Sequence, residues 1–243
     1  SSIRRDQFVE LEDINAPYPF LHDMVNEAFI ALRQRLAPEL GWDYLYQLEN
    51  AYVPITSPLD PLRGNDWLYT GRAFAVSPVP INAGWMVIVR EDYPDGTYWR
   101  VFLKTRYQDG SQGTPLSQMP WDLNARYSGL PGIYEQGGQR ANPPPGYWVD
   151  LTSLAQQFGF ERIPALVNWR TYYEGARFNE FVMDGNLDWL TAMYEVYPEE
   201  VLITPALIPT ETPTPTRTPR VTRISPTPTP TRTPTPTSTR RPT

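Results

Sequence analysis

The sequence predicts an α+β domain, an antiparallel sheet with flanking helices, followed by an extended Pro/Thr-rich segment. The clearest support is a strand pair: residues 84–92 (GWMVIVRED) and 97–105 (TYWRVFLKT) are rich in β-branched and aromatic residues and flank Tyr-Pro-Asp-Gly. That pattern specifies a hairpin around a Pro-Asp-Gly turn. Elsewhere strands and helices alternate irregularly, which disfavours a parallel doubly wound sheet. Finally, Pro and Thr occupy 24 of the last 35 positions, a composition that cannot bury apolar surface and favours a polyproline-like conformation. The globular domain is therefore assigned to residues 1–205 and the tail to 206–243.

In chain order, Leu21, Met24, Val25, Ala28, Phe29, Leu32 and Leu36 recur at three- and four-residue intervals, predicting an amphipathic helix from Phe20 to Leu36. Pro38 and Gly41 punctuate it. Residues 42–55 predict a helical turn leading into a strand that Pro54 confines to an end or edge. In DWLYTGRAFAV (66–76), Gly71 eases the turn into a strand whose Phe74 and Val76 face the core. The Gly- and Pro-rich run between Gln108 and Gly146 has little periodicity and reads as a long loop of the kind that often forms a functional lid. A second helix spans Leu151 to Phe158, capped by Asp150 or Thr152 and stopped at Gly159. A strand follows at 176–183, then a helix near Leu187–Tyr197 ended by Pro198.

Composition removes several kinds of chemistry. Cys is absent and His occurs once, at His22, which excludes disulfides, thiolate metal sites and most histidine-dependent catalysis. Net charge is −6, but the tail from Pro209 carries six Arg against Glu211 alone, a balance of +5 that leaves −11 on the rest. So acidic a body argues against a nucleic-acid partner. No run of about 18 apolar residues is long enough to span a bilayer, and SSIRRDQFVELED is not a secretory signal. Thr-Pro repeats of this type are often O-glycosylated outside cells, so the expected location is extracellular or at the cell surface.

GYWVDLTSLAQQFGF (146–160), IPALVNWRTYY (163–173) and FNEFVMDGNLDWLTAM (178–193), together with DWLYTGRAFAV, resemble the D-Ala-D-Ala carboxypeptidase and dipeptidase type of zinc peptidase. In that family a His and an Asp seven positions apart bind zinc, and a Glu and a His three positions apart supply the general base and the third ligand. The resemblance places Leu68 and Ala75 at the first two ligand positions, Glu180 at the base and Met183 at the third ligand. It also places Val53 where many members carry a substrate-contacting Arg. Hydrocarbon offers zinc no lone pair, and a single thioether with a carboxylate is too soft and too sparse a donor set. Without the metal, Glu180 would have to activate ordinary water of pKa about 15.7.

The expected protein is thus an inactive relative of a peptidase that needs no cofactor and binds a cell-wall peptide, a glycan or another surface protein, or itself. If the ancestral cleft persists, its expected lining is Trp67, Tyr69, Arg72, Trp148, Trp169, Arg170 and Glu180, because aromatic residues stack on sugar rings and anchor interfaces. One alternative is a subunit of a surface layer or filament. Another is a metal-free hydrolase pairing Glu180 with Asp150 or Asp184.

Overall fold

The computed structural model describes residues 7–202; the tail assigned to 206–243 lies outside them. The architecture is mixed α/β with antiparallel sheets, as expected. Strands β1 (Phe8–Glu10) and β2 (Phe20–His22) pair with each other. Helix α1 (Asp23–Leu40) follows, then β3 (Leu48–Asn50), β4 (Ala73–Val76), β5 (Met86–Tyr93) and β6 (Gly96–Lys104). Between Lys104 and the next long element lie β7 (Thr114–Pro115), β8 (Trp121–Asp122), α2 (Pro131–Glu135) and β9 (Gln139–Arg140). The chain continues with β10 (Tyr147–Asp150), α3 (Leu151–Gln157), β11 (Glu161–Arg162), β12 (Glu180–Val182), α4 (Trp189–Val196) and α5 (Glu199–Leu202). Two four-stranded antiparallel sheets result, β5-β6-β10-β7 and β11-β12-β4-β3, with β8 and β9 as a separate pair.

The predicted hairpin forms in the expected register: Tyr93 faces Gly96 across a two-residue Pro94-Asp95 loop, and pairing continues to Met86 opposite Leu103. Helix α1 differs from expectation at both ends. Phe20–His22 is strand, and the first helical residue is Asp23. His22 caps the helix by accepting the Met24 amide on Nδ1 at 3.2 Å. At the other end the helix runs past Pro38 and stops at Gly41, whose left-handed φ of 77° directs its N–H to the Ala37 carbonyl. Proline in the last turn costs one hydrogen bond to the preceding turn, and the apolar contacts of buried Leu36 and Leu40 offset it.

One face of α1, formed by Val25, Phe29, Leu32, Leu36 and Leu40, meets both four-stranded sheets in the main core. Phe74 of β4 lies at its centre, with ring centroids 5.0 Å from Phe29, 5.0 Å from Phe160 and 5.5 Å from Phe181. The expected orientation of Phe74 and Val76 toward the core holds. Asp150, not Thr152, caps α3 by accepting the Ser153 amide; the Thr152 hydroxyl instead accepts the Val101 amide of β6 at 2.8 Å.

Residues 108–146 are not a free lid. Buried Trp121 anchors the excursion, and buried Arg126 donates to the carbonyls of Leu123, Gly137 and Trp169. These bonds satisfy backbone acceptors that a long loop would otherwise leave to water. The strand expected at 176–183 shortens to Glu180–Val182, because a 3-10 turn at Tyr173–Ala176 and a left-handed Arg177 precede it.

The His22 cap makes stability depend on pH. Burial, reinforced by Arg72, lowers the His22 pKa below its ordinary 6.5, while Asp23 and Glu195 act in the opposite direction. The unfolded chain therefore takes up this proton first. Stability is full above about pH 6.5 and declines as pH falls through the folded-state value. Thermal unfolding at pH 7 and pH 5 is expected to show a larger acid loss for the native chain than for His22→Asn, which retains a capping side chain without the titration.

Candidate functional site

The sequence places two short segments of the same form far apart, Arg63-Gly64-Asn65-Asp66 and Arg177-Phe178-Asn179-Glu180. Folding brings them together. Pairing of β12 with β4 sets Glu180 opposite Ala75, and a 3-10 turn at Trp67–Thr70, capped by Asp66, leads into β4. Asp66 is completely buried and Glu180 is 3% exposed.

Their charges are met by two guanidinium groups. Arg63 donates from Nε and Nη2 to Asp66 Oδ2 at 2.9 and 2.7 Å, and from Nη2 to Glu180 Oε1 at 2.6 Å. Arg177 donates from Nε to Glu180 Oε2 at 2.9 Å and from Nη2 to Asp66 Oδ2 at 3.3 Å. The remaining Asp66 oxygen accepts the Leu68 amide at 3.0 Å. Two cations and two anions thus form a closed, neutral network. Arg177 enters it from a left-handed backbone, φ 52°, which is costly for a residue with a Cβ.

Burial pushes the Glu180 pKa above the ordinary carboxylate value; Arg177 and Arg63 oppose that, and the Asp66 charge adds to it. Burial likewise works against the Arg63 charge, but Glu180 and Asp66 outweigh it and raise the Arg63 pKa. The cost of burying these charged groups is offset by their mutual hydrogen bonds.

Beside the network, Val53, Leu68, Ala73, Ala75, Ile163 and Val182 form a small apolar cluster. It contains the two positions the resemblance assigns to zinc ligands, Leu68 and Ala75, and the position assigned to a substrate-binding Arg, Val53. Met183 is not with them: it packs against the main core on the other face of the strand, near Gly159. Both Glu180 oxygens accept from guanidinium groups, and among the described residues no three His, Asp or Glu side chains gather to hold a metal ion. The donor set does not fit zinc.

A cavity of about 220 Å³ opens over the network, with Arg63 and Arg177 among its lining. Glu49, Asp60 and Glu174 contribute carboxylates, Asn50 and Asn179 amides, and Leu59, Phe178 and Tyr173 its apolar and aromatic surface. Burial raises the Tyr173 pKa despite Arg126 nearby, so its hydroxyl stays protonated.

Of the residues expected to line a cleft, the structure brings Trp67, Tyr69 and Glu180 to this region. Trp67 and Tyr69 pack half-buried against the Leu68 cluster, and the Tyr69 hydroxyl accepts the Leu59 amide at 2.7 Å. The others lie elsewhere for identifiable reasons. Arg72 pairs with Glu195 of α4 at 2.7 Å, beside His22. Trp148 is buried in β10 under Lys104, whose Nζ stands 5.7 Å from the ring centroid. Trp169 is core, edge-on to Trp99 at 5.1 Å, and exposed Arg170 lies over it. Neither expected carboxylate partner reaches Glu180: Asp150 pairs with Arg100, and Asp184 is exposed and holds a turn at Asn186. The carboxylate that shares Glu180's cations is Asp66.

Arg63, Asp66 and Arg177 went unrecognised in the sequence, although the repeated Arg-x-Asn-acid spacing was a usable signal. No family model, curated protein or solved structure matches this chain.

Proposed function

We propose that this is a non-catalytic, extracellular binding domain on a peptidase-like scaffold, serving cell-surface or cell-wall attachment through the cavity over Arg63 and Arg177. The observation that carries the reading is the occupation of Glu180. A general base must be within reach of a water, and here Glu180 is buried with Arg63 and Arg177 against its two carboxylate oxygens. A hydrolytic metal needs about three donors and one open position, and Leu68 and Ala75 supply neither. The extracellular placement rests on the Pro/Thr-rich composition of 206–243.

Purified protein equilibrated with zinc and then dialysed is expected to retain no stoichiometric metal and to leave a peptide ending in D-Ala-D-Ala uncleaved. One zinc per chain together with chelator-sensitive cleavage would overturn the proposal.

A further inference from the structure

The cavity has an unusual stock of unused hydrogen-bonding groups. Among the described residues, Nη1 of Arg63 and Nη1 of Arg177 have no protein partner, and neither is sealed from solvent. The Arg177 side chain is only 5% exposed, so this donor is held in place by its other bonds to Glu180 and Asp66. The Asn50 amide and the Tyr173 hydroxyl are likewise without partners among the described residues. Glu49 has one oxygen engaged by Asn179 and Glu174 one by Tyr172, each with one left over, while Asp60 accepts the Leu62 amide and also meets the Tyr172 hydroxyl. Largely buried donors and exposed carboxylate acceptors therefore surround one small space.

Charge narrows the guest. Arg63 and Arg177 are already neutralised by Asp66 and Glu180, so an anion would gain little from them and would meet three further carboxylates. A cation would be drawn to those carboxylates but pressed against two guanidinium groups. A neutral polyol meets neither penalty, because every hydroxyl can both donate and accept. Size agrees: a cavity of about 150 Å³ holds a benzene molecule, so about 220 Å³ admits one six-membered ring with its substituents. Tyr173 and Phe178 offer aromatic surface to the C–H faces of such a ring.

We infer that the Arg63–Arg177 cavity binds a single neutral pyranose unit, the exposed sugar of a glycan, using the guanidinium Nη1 groups as donors and Glu49, Asp60 and Glu174 as acceptors. This rests on the binding reading above and specifies its ligand class.

The test titrates glucose, galactose, mannose and N-acetylglucosamine into the full chain, followed by calorimetry and saturation-transfer NMR. At least one sugar is expected to saturate. Glu174→Gln and Asn50→Ala lie outside the core and are expected to retain the native unfolding temperature while weakening that sugar about tenfold or more, as for loss of a hydrogen bond to a charged or fixed partner. Saturation by none of the four, or saturation that both variants leave unchanged, overturns the inference. Binding of the dipeptide Ala-Ala, sensitive to the same variants, in place of any sugar would overturn it while leaving the non-catalytic binding domain standing; zinc-dependent cleavage would remove that domain reading independently of sugar binding.

Discussion

Asp66→Ala is expected to destabilise the domain by about 3–5 kcal/mol, the loss found when one partner of a buried ion pair is removed and its counter-charge is stranded. For a domain of this size that corresponds to a fall in Tm of roughly 6–20 °C. Asp66 is singled out because it serves three groups: both guanidinium groups and the Leu68 amide that begins the turn into β4. Its removal leaves Arg63 and Arg177 sharing Glu180 alone and takes away a cap worth about 1 kcal/mol. Asp66→Asn keeps the shape and the cap but not the charge, so it is expected to lose most of the same stability. Replacing Arg63, Asp66, Arg177 and Glu180 together by apolar residues of similar volume is expected to cost far less than the single change, because no charge is left without its partner. Urea unfolding of the variants checks this; a loss under about 1 kcal/mol for Asp66→Ala would show that water screens the network.

The second large effect is expected at Phe74. Its ring is wholly buried and contacts Phe29, Phe160 and Phe181, so it joins α1 to the β11-β12-β4-β3 sheet. Phe74→Ala is expected to cost about 3–5 kcal/mol through lost transfer energy and the cavity left behind. Phe74→Leu, which nearly conserves volume, is expected to cost less than about 1.5 kcal/mol. Equal losses for the two would mean that the site collapses freely, contrary to an aromatic cluster locked between a helix and a sheet. The strand has two different faces: Phe74 faces the main core, whereas Ala75, one residue on, faces Glu180 and the apolar cluster.

Local pattern made much of the fold legible. The β5–β6 hairpin followed from two β-rich runs around Pro94-Asp95, because turn geometry and a period of two set register without distant partners. The body of α1 followed from its 3.6-residue spacing, and β4 from Phe74 and Val76 flanking Ala75. Where pattern was weak, less could be read: residues 108–146 have little periodicity and read as a long loop, but that Trp121 and Arg126 hold them to the body is set by contacts that composition does not reveal.

By itself the sequence determined which donors are missing: a chain without Cys and with one His cannot assemble a thiolate or multi-histidine metal centre, whatever its fold. Only the tertiary structure decided which charged groups meet. Arg63 and Glu180 lie 117 positions apart, and nothing local selects one acid among the 26 outside the tail. Pairing of β12 with β4 makes the choice, since it brings two Arg-x-Asn-acid segments into the interior, where each buried charge must find its opposite or the fold does not form.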